Sequence, residues 1–385
     1  MSPSGDPTAA DDPNRLPDEA WAAAVAGLGL GPARLARLLA TYPPRAAWQI
    51  AGGSQGVDGD RAAVAGWAAL VEAGVTVHLL GSPGYPDRLA DDHEAPAVLF
   101  SRGRIDAIDR QPPLVSIVGT RRCSHTGREV AAQLGRELSE AGVSVVSGLA
   151  LGVDGAAHQG ALGVCGAPPV GVVGSGLDVI YPRANATLWH AVAEGGLLLS
   201  EAPLGARPEP WRFPARNRVL AALADVVVVV ESHLGGGSMH TVRAAEERGC
   251  VIMAVPGSVR NPASAGTNKL LSEGLPPARD TEDVLAAIAL ATSGRGGAVA
   301  PLLHTRSAAP PPADPAEAAD PPRQAPGPPD AAVLEAVGWE ATSVETVLRR
   351  TDMPLGQTAA ALSRLQRAGW VRGQAGWWER IGQPT

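Results

Sequence analysis

Residues Val115-Ser-Ile-Val-Gly119-Thr-Arg-Arg122 join an apolar, strand-like run to a glycine, a hydroxyl and two guanidiniums. A helix-like segment opens just beyond, near Thr126. A strand that ends in glycine and turns into a helix N-terminus presents unpaired backbone N–H groups and the positive end of a helix dipole. With Arg121 and Arg122 beside it, such a place suits a phosphate. The remaining sequence has to say which phosphate.

Around that stretch, residues 112–291 alternate apolar runs with amphipathic ones. Strands are expected at 114–119, 143–148, 170–174, 197–200, 226–230 and 251–255. Helical patterns fall at 127–141, 186–195, 238–248 and 281–291. The unbroken valines between Asp225 and Glu231 are what a parallel strand buried on both faces requires. The alternation predicts an α/β fold, a Rossmann-like, doubly wound, mostly parallel sheet.

The flanks differ in composition. Residues 1–15 are polar and rich in Pro and Asp, as in a disordered tail. Residues 16–75 read as a small helical domain of helix-hairpin-helix or sterile-alpha-motif type, with helices at 19–26 and 32–40 around a Gly-rich turn. Residues 76–111 read as a connecting segment, and 292–329 as an extended Pro/Ala-rich linker. In 330–385, helical patterns at 331–337, 343–351 and 355–368 precede a Trp-rich pair of strands whose turn contains Gly373 and Gly376. Three helices and a β-wing predict a winged helix.

Bulk chemistry narrows the function. The 385 residues carry a net charge of −7, which argues against a protein that coats nucleic acid through overall charge. Lys269 is the sole lysine, so cationic recognition must come from arginine, which grips phosphate through a planar fork. Cys123, Cys165 and Cys250 lack the spacing of a disulfide framework or a zinc site. No cofactor or metal is indicated. With an acidic N-terminus and no long apolar run, a soluble cytoplasmic protein without membrane contact is expected.

In an open α/β sheet, ligands lie beyond the carboxyl ends of the strands. There the sequence places Gly119-Thr120-Arg121, Ser147-Gly148, Gly174-Ser175-Gly176 and Glu231-Ser232. Arg183 follows the third exit, and Trp211-Arg-Phe213-Pro-Ala-Arg216-Asn217-Arg218 precedes the valine strand. Arginines interleaved with aromatics suit the phosphates and bases of a single strand. Asp154 and His158, one helical turn apart, could serve as an acid–base pair. Asp154 capping a helix over 155–162, with His158 packed in the core, is the plainer reading. The loop Gly235-Gly-Gly-Ser238 resembles a phosphate cradle but lacks the Gly-Lys-Ser/Thr ending of an NTPase.

These motifs, in this order, resemble the DNA-processing protein A family of bacteria, also called DprA or Smf. The matching residues are Ile117-Val-Gly-Thr-Arg121, Val145-Val-Ser-Gly148-Leu-Ala with Gly152-Val-Asp154 and His158, and Tyr181-Pro. They continue through Leu199-Ser-Glu201, Phe213-Pro-Ala-Arg-Asn-Arg218, Gly237-Ser238, Ala254-Val-Pro-Gly-Ser258 and Gly266-Thr-Asn268. The resemblance implies a dimer that binds single-stranded DNA and hands it to the RecA recombinase. It implies strand contacts from Gly119, Thr120, Arg121, Arg183, Phe213, Arg216, Asn217, Arg218, Gly237 and Ser238. Thr120 stands for the family's Ser, Arg183 for its usual Lys and Gly236 for another Ser; His240 replaces an aliphatic residue. Leu270 and Leu271 are candidates for the dimer contact. A nucleotide phosphoribohydrolase on a related fold is the rival reading, although Thr241 and Glu246 are too far apart for its motif. A transcription regulator reading duplex DNA through 355–368 would have only Arg364 and Arg367 as cations there.

Overall fold

A computed structural model describes residues 16–52, 57–109, 113–293, 326–337, 342–374 and 377–380. The proposed tail 1–15 and most of the proposed linker lie outside these residues. Eight strands form one sheet: β1 Thr76–Leu79, β2 Val98–Gly103, β3 Leu114–Val118, β4 Ser144–Ser147, β5 Val170–Val173, β6 Leu197–Ser200, β7 Val226–Val229 and β8 Val251–Ala254. Their order is β1-β2-β6-β5-β4-β3-β7-β8. The six strands from β6 to β8 are parallel, in the register Val115↔Val226 between β3 and β7 and Val226↔Val251 between β7 and β8. All six were legible, because strands between two helical layers are predominantly apolar.

The sheet faces confirm double winding. Val227 and Val229 pack with Val219, Leu220 and Leu223 of helix Arg212–Leu223 and with Val242 of helix Ser238–Glu247. Val226 and Val228 face the other way, against Leu134 and Leu138 of helix His125–Glu140, and Val284 and Ile288 of helix Thr281–Ser293. Alternate valines of one strand thus belong to different cores, as the period of two demands.

The segment 76–111, expected as a connection, instead contributes β1 and β2. β2 joins β6 antiparallel, pairing Phe100 with Ser200, and β1 joins β2 antiparallel. These strands were missed because polar residues interrupt their apolar runs: His78 is buried but bonded through Nε2 to Ser101 Oγ at 2.8 Å and through Nδ1 to the Gly84 carbonyl at 2.7 Å. Phe100 and Leu198 share a core with Trp21 and Trp48 of the N-terminal helices Asp18–Gly27 and Pro44–Ile50. The helical module therefore seats on this sheet edge. Two charge clamps pin the same segment to the sheet: Arg88 meets Asp225 at 3.2 Å, while Arg248 meets Asp92 at 2.7 Å and Glu94 at 3.0 Å. Among the described residues no helix is long and apolar enough to cross a membrane.

The C-terminal part is a second compact unit. Helices Pro328–Val337, Val344–Thr351 and Leu355–Arg367 enclose Val333, Val337, Val347, Leu362 and Leu365. The helix at 344 starts where Ser343 Oγ accepts from Thr346 N–H at 3.3 Å, and ends at Asp352 with φ of 52°. Strands β9 Thr342–Ser343, β10 Val371–Gln374 and β11 Trp377–Arg380 form the wing in the order β10-β11-β9. On helix Leu355–Arg367, Arg364 is held by Asp330 through bonds of 2.9 and 2.7 Å, which weakens any duplex-reading surface further.

Candidate nucleic-acid interface

Strand order reverses direction at β3, whose neighbours are β4 on one side and β7 on the other, so the crevice between the exits of β3 and β7 is where this architecture binds ligands. Here that crevice is filled. Thr120 N–H donates to the Glu231 carbonyl at 2.7 Å, tying the two exits together. The Glu231 side chain, in a residue only 5 % exposed, turns onto the first turn of helix His125–Glu140. A Cβ on Gly127 would lie 2.4 Å from the Glu231 Cδ, and Asn261 Nδ2 donates to its Oε1 at 3.0 Å. The anion at this helix N-terminus is the protein's own carboxylate. A phosphate placed at this point would meet the Glu231 side chain.

A second groove opens at the rim across the exits of β3, β4 and β5. The exposed Arg121 leaves β3 and lays its guanidinium 4.8 Å from the centroid of the Phe213 ring. Phe213 sits in the first turn of helix Arg212–Leu223 and packs against Tyr181, ring centroids 5.6 Å apart at 40°. Tyr181 is joined to Pro182 by a cis peptide bond. Together with Leu151, Gly174 and Arg216 these three side chains line one groove.

Behind the rim lies a buried polar layer. Arg216 is 7 % exposed, and its Nη1 donates to the Val172 carbonyl. Its guanidinium presses on Gly148 so closely that a Cβ there would come within 1.9 Å of Nη1. Burial lowers the Arg216 pKa to about 10, partly countered by Asp154. Burial raises the Asp154 pKa, which Arg216 opposes. Asp154 does not cap the helix Val153–Leu162 as expected; Gly152 occupies that position, at φ 80°. A side chain at Gly152 would strike the Thr120 carbonyl; the chain enters the helix two residues earlier than expected, and the Asp154 carboxylate accepts from Gly148 N–H at 3.2 Å. Leu149 is held at φ 53°, with Asn185 Nδ2 donating to the carbonyls of Leu149 and Ala150, both at 3.0 Å. His158 is fully buried, donates from Nε2 to the Val170 carbonyl at 3.1 Å, and has its pKa lowered by burial to about 4. Its contacts are those of a packed residue.

Of the positions named from sequence, Arg121, Phe213 and Arg216 meet at one groove. Gly119 lies just past β3 in a tight spot, where a Cβ would come within 2.5 Å of Val153. Thr120 turns its Oγ1 to the Arg122 N–H at 3.2 Å. Arg183 is exposed, two residues past Tyr181, at the start of the short turn Arg183–Asn185. Arg218 does not join them. It lies about 140° around the helix from Phe213 and is bonded to Glu201 and to the Glu94 carbonyl. Asn217 is buried and donates to the Gly237 carbonyl at 3.3 Å, so it organises the loop before helix Ser238–Glu247. Ser238 is also buried, and its Oγ donates to Ser232 Oγ at 2.8 Å.

Residues 76–289 match the family model of DNA recombination-mediator protein A. The chain belongs to that family. Residues 307–376 match the DprA winged helix domain. Protein Smf of Escherichia coli is 33 % identical over 298 residues, covering 77 % of this chain and 75 % of that protein. DNA processing protein DprA of Streptococcus pneumoniae is 39 % identical over 202 residues, 52 % of this chain and 70 % of its own length. The X-ray structure of the pneumococcal protein superposes with a TM-score of 0.53 at 34 % identity, over 61 % of this chain and 83 % of that one. DNA processing protein A of Helicobacter pylori, whose structure was described for its single-stranded DNA binding mode, gives a TM-score of 0.50 at 30 % identity, over 57 % and 96 %.

Family membership came from motif glycines and arginines, but two groove residues carried little signal of their own. Tyr181 was legible only as a family marker. Leu151, 42 % exposed, looked like another apolar residue of a βα loop. A lone exposed leucine has no sequence signature.

Proposed function

We propose that the chain binds single-stranded DNA across the Arg121–Phe213–Tyr181 rim and passes it to the RecA recombinase, in DNA recombination or natural transformation. The observation that carries this reading is the exposed Arg121 guanidinium stacked on Phe213 beside Tyr181. A cation for the backbone and aromatic faces for bases are the two parts of a sequence-tolerant strand site. Arg183 extends the cationic edge. Arg216, Asn217, Gly148 and Asp154 act behind it by fixing the groove wall, and Gly119, Thr120, Gly237 and Ser238 shape the turns on either side. Arg218, neutralised by Glu201, holds helix Arg212–Leu223 to the neighbouring exit.

The chain acts as a binding protein and not as an enzyme on this reading. The Gly-rich loop of a phosphoribohydrolase places Thr and Glu three apart, whereas Thr241 and Glu246 here are five apart. Homodimerisation is also proposed from kinship, but not through Leu270, which is 2 % exposed and packs in the central core.

Titration of labelled oligothymidylate in rising salt tests the proposal. Binding that weakens with salt, and weakens more than tenfold in Arg121→Glu with an unchanged circular dichroism spectrum, is expected. Unchanged affinity in that variant would remove the rim as the site. Acceleration of RecA filament formation on the bound strand tests the hand-over.

A further inference from the structure

A cavity of about 420 Å³ opens beyond the exits of β5 and β6, and shares Val173, Gly174 and Arg216 as a common wall with the rim groove. Its volume falls in the range of sites that hold a small organic ligand, roughly 300–1,000 Å³. The N-terminal helical module roofs it with Leu30, Leu35 and Ala36. The opposite wall carries Glu201 and Arg218, whose side chains are 19 % and 14 % exposed. Trp211, 45 % exposed, stands on the lining with the Arg212 guanidinium 4.5 Å from its ring centroid. An apolar roof, an exposed indole and a carboxylate beside a guanidinium describe a receptor for a flat heterocycle with a polar edge.

We infer that this cavity is a second base-binding subsite that takes guanine, from the bound strand or from a free guanine nucleotide. The inference rests on the rim being a strand site. Of the four bases, guanine alone sets two adjacent N–H donors beside an acceptor. Its N1–H and N2–H₂ face the Glu201 carboxylate, and its O6 accepts from Arg218. Every other base offers the carboxylate a single ring-edge donor and so makes fewer hydrogen bonds to this pair. The shared wall means that a strand crossing Phe213 reaches the cavity by passing Gly174.

The full chain is titrated with oligothymidylate of about twelve nucleotides, a length within the usual site sizes, and with the same oligomer carrying one central dG, dA or dC. One dG is expected to tighten binding about fivefold or more, the lower end of a matched edge, while dA and dC do not. Calorimetry with the four nucleoside monophosphates runs in parallel. A dG gain that GMP does not compete assigns the cavity to a base of the strand; GMP binding without a dG gain assigns it to the free nucleotide. Glu201→Gln should bring the dG:dT affinity ratio to about one. Ala33→Trp fills the cavity from an exposed helix position and should do the same with an unchanged circular dichroism spectrum. Equal response to all four bases, preference for another base, or a dG preference that survives Ala33→Trp would each overturn the inference. Affinity for plain oligothymidylate reads the rim alone, so its loss in the wild type reports failure of the rim reading instead.

Discussion

The Arg121 guanidinium lies 4.8 Å from the centroid of the Phe213 ring, although the two residues are ninety-two positions apart in the chain. β3 delivers one and helix Arg212–Leu223 the other. Each holds the other in place: the ring orients the cation, and the cation covers one ring face. Phe213→Ala should cost about 1–3 kcal/mol of strand affinity, the value of one stacked base. Filter binding with oligothymidylate reads the change, and a Phe213→Ala protein with wild-type affinity would show that no base rests there.

Arg121 and Arg218 are separable by salt. Arg121→Gln should lower the slope of log affinity against log salt by about 0.7, one phosphate on a single strand. Arg218→Gln should leave that slope unchanged and instead lower the urea midpoint, because it strands the half-buried Glu201 carboxylate. Equal slope changes in both variants would place Arg218 on the strand after all.

Gly148→Ala is expected to be costly for so small a change. The added methyl meets a buried guanidinium that is itself fixed by the Val172 carbonyl. Overpacking of this kind costs about 1–3 kcal/mol. Chemical denaturation measures it, and a neutral outcome would mean that Arg216 moves freely.

Acid should act through His158. Its pKa falls from 6.5 to about 4 on folding because burial disfavours the charged ring, which the hydrogen bond to the Val170 carbonyl only partly offsets. The unfolded chain therefore binds more protons between those two values. Stability contributed by the neutral ring is complete above about pH 6.5 and declines as pH falls toward 4. His158→Gln should flatten the dependence of the melting temperature on pH across that window. A variant with the wild-type pH slope would assign the acid sensitivity elsewhere.

Sequence and structure agree where one physical requirement dominated. The apolar run of β3 and the valine run of β7 are buried on both faces, and such compositions suit a central parallel strand. The winged helix showed in helical periodicity followed by a Gly-turned, Trp-rich pair. β1 and β2 escaped because His78 and Ser101 satisfy each other across the pair, which hides a buried strand behind polar letters. The arginines of the motif all looked alike in sequence. Helical phase sends Arg216 inward and Arg218 to Glu201, and only the fold reveals which guanidinium reaches solvent. Asp154 read as a cap because acidic residues favour that position, but its carboxylate reaches back to Gly148.

Glu231 gives the crevice a floor. An occupant kept out of the sheet's interior must lie lengthwise over the opening, with neither of its ends enclosed by protein. On the strand-binding reading, such a seat grips an interior stretch of a polymer as readily as a terminus, sets no upper bound on its length, and leaves the flanking nucleotides free for another protein to take up.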